Sequence, residues 1–273
     1  MQAFFLPASL GQRLCVLHAP AAGQPQRGCI IYVHPLAEEM NRCRRMAKLT
    51  AHALAEAGFA VLQMDLLGCG DSSGDFADAT WDAWLDDLTL ARQWLAGRYA
   101  GSLWLWGVRA GCLLAAQSAA STPELPLRLL LWQPVVSGRQ HLQQFLRLRQ
   151  MSELVQGGGD SGGTQELLQQ LELGQSVEVA GYAMGGRLAQ GLAEATLDRV
   201  GGALQLICLE VVPPDQQQCP TASPAVAQQM QRWADAGISA TASRVIGEPF
   251  WLVPEAQIPL ELIHATVAAL VGA

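Results

Sequence analysis

Short apolar runs alternate with amphipathic helical patterns through the first half of the chain. Residues 28–33, Gly-Cys-Ile-Ile-Tyr-Val, form an uninterrupted apolar run suited to a strand buried on both faces. After Asn41 a helical pattern places Met46, Leu49, Ala53, Leu54 and Ala57 on one face, and Gly58 ends it. Residues 59–64 read as the next strand, followed by the loop Asp65-Leu66-Leu67-Gly68-Cys69-Gly70-Asp71-Ser72-Ser73-Gly74. Thr80 is placed to cap a helix whose apolar side carries Trp81, Trp84, Leu85, Leu88, Ala91 and Leu95. Residues 103–106 form a strand, 107–111 a tight turn, 112–120 a helix and 127–132 another strand.

Strands and helices alternating at this spacing imply parallel strands joined by right-handed crossovers. The pattern breaks at residues 138–200, rich in Gln and Leu and holding the flexible-linker sequence of residues 157–163. Short helices there are expected to form a cap. Strand 203–212, helix 224–236, strand 240–246 and a closing helix over 259–270 then resume the alternation. The expected organisation is a core in two parts, residues 1–137 and 201–273, with a helical cap, 138–200, inserted between them.

Composition narrows the class. Of 273 residues half are hydrophobic and only 15% charged, a compact globular balance. The net charge of −7 argues against a nucleic-acid groove or an anionic membrane surface as partner. No apolar stretch reaches the roughly 18 residues of a membrane helix, and the N-terminus lacks the basic start and long apolar run of a signal peptide. Seven cysteines without C-x-x-C spacing read as idle thiols in a reducing compartment. These features point to the cytoplasm, with no metal site and no cofactor expected. Lys48 is the single lysine beside sixteen arginines.

The chemistry-bearing segment is Trp104-Leu105-Trp106-Gly107-Val108-Arg109-Ala110-Gly111-Cys112-Leu113, a strand, Gly-x-x-x-Gly and a helix. That is the build of a nucleophile elbow, in which two glycines permit a sharp turn and the central residue is strained and displayed at a helix N-terminus. With His34-Pro35 at the end of an early strand and the Asp65-x-x-Gly68-x-Gly70-x-Ser72 loop after the next, the chain resembles the α/β-hydrolases. The resemblance implies an α/β fold of three layers, a mostly parallel central sheet with an inserted helical cap. More narrowly, residues 34–41, 44–46, 65–76, 106–111 and 247–251 resemble the exosortase A system-associated hydrolase 2 family. That resemblance implies exopolysaccharide-producing bacteria with a protein-sorting system, and an arginine at the elbow as a family trait.

The departure from hydrolase chemistry lies at the elbow. A nucleophile there is Ser, Cys or Asp, and here it is Arg109, whose guanidinium stays protonated and has no lone pair to offer. The base is expected just after the last strand, near residues 247–251, where no histidine stands. None of His18, His34, His52, His141 and His264 is expected beside Arg109. Glu210 or Asp215 could be the triad acid, and Glu248 a further carboxylate, but an acid without base and nucleophile completes nothing. Two decoys are set aside. Gly70-Asp71-Ser72-Ser73-Gly74 matches G-x-S-x-G without a strand–helix context, and Gly159-Asp160-Ser161-Gly162-Gly163 falls in the glycine-rich linker.

Cys112, in the first turn of a helix, is a weak reactive candidate, with buried filler as the blander reading. His34 is either an oxyanion-loop residue or a hydrogen-bonded strand-end histidine. Glu38 and Glu39 are either helix-start charges or partners of Arg109, as Glu248 also could be. Arg109 itself either plugs a dead pocket through such a pair or forms an anion site with the helix N-terminus. In the second case Leu36, Val108 and Ala110 join His34, Glu38, Glu39 and Arg109 around the ligand. Three functions follow as expectations. The first is a ligand-binding protein of exopolysaccharide and exosortase systems that takes an anionic or acyl molecule and lacks serine-triad chemistry. The second is an ester or thioester hydrolase with a non-serine mechanism. The third is a non-catalytic scaffold, as a homodimer or with a protein of the sorting pathway.

Overall fold

The computed structural model describes residues 1–121, 127–155, 163–201, 203–214, 222–253 and 258–272, the side chains of 151–155 excepted. The linker residues 157–162, with the second decoy serine, and the candidate acid Asp215 lie outside this set. Along the chain run strands β1 (Gln2–Pro7), β2 (Gln12–His18) and β3 (Gly28–Val33), helix α1 (Glu38–Glu56), β4 (Phe59–Met64), α2 (Trp81–Ala96), β5 (Ser102–Val108), α3 (Gly111–Ala120) and β6 (Leu127–Trp132). Helices α4 (Gly138–Val155) and α5 (Thr164–Glu172), strands β7 (Val177–Val179) and β8 (Tyr182–Met184), and helix α6 (Gly186–Glu194) follow. The chain closes with β9 (Gln205–Val212), α7 (Pro224–Asp235), β10 (Ala240–Ile246) and α8 (Leu260–Val271).

Eight strands form one sheet in the order β1-β2-β4-β3-β5-β6-β9-β10. β2 runs antiparallel to both its neighbours, β1 and β4; every pairing from β4 to β10 is parallel. All six parallel strands therefore end on one edge, and the loops that follow them converge there.

The central strands read as apolar runs because both their faces are covered. Cys29, Ile31 and Val33 of β3 join the core under α2 and α3, whereas Ile30 and Tyr32 join the core under α1 and α8. Trp104 and Trp106 of β5 are fully buried on the second side. Burying such a side chain is worth ~1.5–3 kcal/mol, so the two cores fix which face each strand turns to which helix.

Several boundaries differ from the sequence expectation. Helix α1 begins at Glu38, three residues before Asn41, because Ala37 turns the chain with φ 49° and the acids Glu38 and Glu39 complement the helix dipole in the first turn. Thr80 caps α2 as its position suggests, accepting from the Ala83 amide at 3.1 Å. The β1–β2 hairpin was not legible. Its strand β2 carries Arg13 inward, where the guanidinium meets Asp87 at 2.8 Å with both side chains nearly sealed from water. A charge at a core position disguises the alternation that marks a strand.

Among its described residues the segment between β6 and β9 adds no strand to the large sheet, and it holds the antiparallel β7–β8 ribbon that helical patterning did not anticipate. It rests on the core at specific points. Gly191 of α6 lies so close to Trp81 that an added Cβ would stand 2.1 Å from the Trp81 Cβ, and Asn41 donates to the Tyr182 hydroxyl at 2.8 Å.

Candidate functional site

The elbow is built as its glycines dictate. A Cβ on Gly107 would stand 2.7 Å from the Cα of Cys112, and one on Gly111 would stand 2.3 Å from the Val33 carbonyl oxygen. Neither position admits a side chain, so α3 packs directly against β5 and β3. Between them Arg109 takes φ 54°, a left-handed conformation that costs a non-glycine residue ~1–2 kcal/mol. Its amide donates to Trp132 O at 3.0 Å and its carbonyl accepts from the Cys112 amide at 3.0 Å, which holds the strain in place.

The Arg109 side chain lies across the carboxyl edge of the sheet. Nε donates to Glu39 Oε1 at 3.2 Å, and the guanidinium carbon sits 5.6 Å from the centre of the Trp251 ring. Glu39 is thus the carboxylate facing Arg109. The terminal guanidinium nitrogens make no hydrogen bond among the described residues and are not sealed from solvent. Glu39 Oε2, by contrast, is buried without a partner. Burial raises the Glu39 carboxyl above its ordinary pKa, outweighing the attraction of Arg109.

Beneath the site an aromatic row crosses the α1 and α8 side. Tyr32 meets Trp106 at 4.8 Å, Trp106 meets Trp132 at 4.6 Å, and Phe250 meets Trp132 at 6.1 Å and Trp251 at 5.2 Å. Trp132 Nε1 donates to Thr266 at 3.0 Å. The residues after β10, where a base was sought, therefore supply a rigid apolar floor.

The Arg109 charge also reaches a histidine of α4. His141, in the first turn of α4, is buried with Nδ1 unpartnered, and burial followed by the Arg109 charge pushes it down to about 3. Its ring is neutral near pH 7.

The other candidates are engaged elsewhere. His34 Nδ1 lies 2.8 Å from Pro35 O and its Nε2 accepts from the Leu66 amide at 3.4 Å. Both ring nitrogens thus serve the backbone, which removes the side chain as a ligand donor. Glu38 pairs with Arg42 one turn along α1, and Arg42 also donates to Leu252 O at 2.6 Å, tying α1 to the loop after β10. Glu210 accepts from the Ser223 amide at 2.7 Å at the start of α7 and lies 3.9 Å from Arg244. Glu248 has other interactions and does not pair with Arg109.

Cys112 is fully buried, its thiol directed at Trp132 O at 3.5 Å and raised well above the ordinary range by burial. The decoy Ser72 donates to Asp65 O and accepts from the Leu14 amide, and is a loop brace. The side chains of Leu36, Val108 and Ala110 belong to the cores, so only their backbones can face a ligand. The amides of Leu36 and Ala110 make no hydrogen bond among the described residues. They are the residue after the elbow and a residue of the loop after β3, the two sources of oxyanion-hole donors in this architecture. Among the described residues no group of three or more His, Cys, Asp or Glu converges as metal ligands would, and no helix is long and apolar enough to cross a membrane.

A separate cavity of about 350 Å³ lies inside the cap, lined among others by Leu142, Leu168, Leu171, Ala189, Arg139 and Arg187. It does not include the elbow, whose chemistry is the more specific.

Comparison with known proteins agrees with this geometry. Residues 24–159 match the family model described as serine aminopeptidase, S33. No curated protein matches the chain. Among solved structures, a thermostable carboxyl esterase from Bacillus coagulans superposes with a TM-score of 0.66 at 15% identity, covering 99% of this chain and 98% of that one. Est1E from Butyrivibrio proteoclasticus gives 0.64 at 12% identity, with 99% and 96% covered. A serine hydrolase from Xanthomonas campestris, described as having no lid, gives 0.57 at 16% identity, with 98% and 91% covered. By its sheet, its elbow and these likenesses, the chain has the α/β-hydrolase fold.

Proposed function

We propose that this protein uses the hydrolase elbow to bind an anion, with Arg109 in the nucleophile's place and without serine-triad chemistry. The observation that carries the reading is the Arg109 side chain itself. It is fixed through Nε by Glu39, while its terminal nitrogens make no hydrogen bond among the described residues, and the amides of Leu36, in the loop after β3, and Ala110, the residue after the elbow, are likewise unpartnered there. A fixed guanidinium beside a helix N-terminus suits a carboxylate or phosphate. A dead plug would leave those donors with nothing to do.

Six described cysteines are free and buried, which supports a reducing, cytoplasmic setting. The motif resemblance to exosortase A system-associated hydrolase 2 supports a role alongside exopolysaccharide synthesis and protein sorting.

The second reading, hydrolysis without serine, draws on one observation: burial raises the Glu39 carboxyl, which makes it a better proton acceptor from water. Two experiments separate the readings. Calorimetric titration of inorganic phosphate should show saturable binding that Arg109→Ala weakens at least tenfold; equal binding by both proteins overturns the anion site. Turnover of activated esters by the wild type, lost in Glu39→Gln, would favour the hydrolase.

A further inference from the structure

The large sheet ends at β10, and the outer edge of that strand is open. β10 pairs with β9 without a bulge from Ala240 to Ile246. The Leu206 amide donates to Ser239 O at 3.0 Å, and the Gly247 amide donates to Val212 O at 2.9 Å. Ser239 and Gly247 thus turn backbone groups toward β9, and by the alternation of a strand Thr241, Ser243 and Val245 do the same. The backbone groups of Ala240, Ala242, Arg244 and Ile246 point the other way, where no described strand lies. They make no hydrogen bond among the described residues.

An edge of this kind is ordinarily blunted by a lysine, a proline, a bulge or a very short strand. β10 has none of these over its seven residues. Thr241 and Ser243 are exposed, and so is the larger apolar side chain of Ile246. Exposed Leu260 stands by the same end of the strand, since a Cβ on Gly247 would lie 2.5 Å from the Cβ of Pro259.

The strand is also complementary to itself. Open backbone groups must face open backbone groups, so even-numbered residues oppose even-numbered ones. An antiparallel copy that uses all seven residues sets Ala240 opposite Ile246, Thr241 opposite Val245, Ala242 opposite Arg244 and Ser243 opposite Ser243. Each of the two larger residues on the even-numbered face then meets alanine. The strand's one charge, Arg244, avoids its own copy, which a like-charge pair would penalise. Every outward N–H finds a carbonyl, under the twofold symmetry commonest among homo-oligomers.

We propose that β10 pairs antiparallel with β10 of a second copy of this chain, joining two sheets into one across a twofold axis at Ser243. Sedimentation equilibrium of the full chain at micromolar concentration is expected to give twice the chain's mass. Ala242→Pro removes an outward N–H and no bond to β9, so the variant is expected to stay folded and become monomeric. Cysteines then read the register in a Cys219→Ser background. Opposed Cα atoms of a pair such as Ser243–Ser243 lie ~4.5 Å apart, within disulfide reach. Ser243→Cys is therefore expected to give a disulfide-linked dimer on mild oxidation, and Thr241→Cys, which faces Val245, to give little. If thermal unfolding shows that Ala242→Pro does not fold, Ser243→Glu replaces it, setting like charges against each other, and is expected to dissociate the dimer. A wild type that stays monomeric, leaving the edge to a strand of another protein or to none, overturns the proposal. A dimer that survives in the folded edge variant overturns it, as does cross-linking by Thr241→Cys equal to that by Ser243→Cys.

Discussion

Arg109 donates from Nε to Glu39 Oε1 at 3.2 Å, joining the strained tip of the elbow to the first turn of α1. Each side chain keeps only 17% of its surface exposed, so the pair lies between a surface bridge and a buried one. A double-mutant cycle with Arg109→Ala and Glu39→Ala is expected to return a coupling of ~1–2 kcal/mol in urea unfolding. A coupling near zero would mean that solvent screens the contact.

His141 links stability to acid. Its folded pKa of about 3 lies below the unfolded value of ~6.5, so the unfolded chain takes up the proton first. Stability is lost as pH falls from about 6.5 toward 3, by up to ~1.4 kcal/mol per unit from this group. Glu39 and Asp87 are raised by burial and act in the opposite sense, contributing less as pH rises above the ordinary carboxylate range. His141→Gln should therefore lose less stability than the wild type between pH 6.5 and 4.5 in parallel urea titrations. Equal losses would show that the imidazole is protonated in the fold.

The thiols should be silent. Cys15, Cys29, Cys43, Cys69, Cys112 and Cys208 are buried, and burial raises the pKa of each, Cys29 to about 11 and Cys208 to about 12. The native protein is expected to release no more than one equivalent of chromophore from an aromatic disulfide reagent, all of it from Cys219, and Cys219→Ser should abolish it. Rapid native labelling of Cys112 by mass mapping would contradict this.

Restoring a serine should not restore the enzyme. Arg109→Ser places a hydroxyl at the elbow, but His141, the histidine that feels the charge at this position, has no carboxylate partner among the described residues to set its tautomer. Turnover of p-nitrophenyl acetate is expected to stay at the background rate. Measurable turnover that vanishes on adding His141→Ala would show that the cap histidine works as a base.

The elbow was legible in the sequence because its requirement is steric and local: Gly107 and Gly111 are needed wherever a helix turns back onto its strand this closely. The parallel strands were legible because burial on two faces leaves an uninterrupted apolar run, as in β3. The β1–β2 hairpin was hidden by Arg13, a charge made tolerable in the core by Asp87 from a distant helix. The site was half legible. Glu39 stood among three carboxylates that spacing could not separate, since only the turn at Ala37 decides that Glu39 faces Arg109 while Glu38 faces Arg42. The Trp251 floor depends on contacts between elements far apart in the chain, which no local pattern records.

The central claim is that the elbow binds an anion at Arg109. Titrating inorganic phosphate into ¹⁵N-labelled protein and following the Arg109 Nε signal with the amides of Leu36, Ala110 and Gly111 tests it most directly. The account predicts saturable shifts concentrated on those four signals, all absent in Arg109→Ala. Shifts scattered over surface arginines, with the elbow signals unmoved, would contradict it.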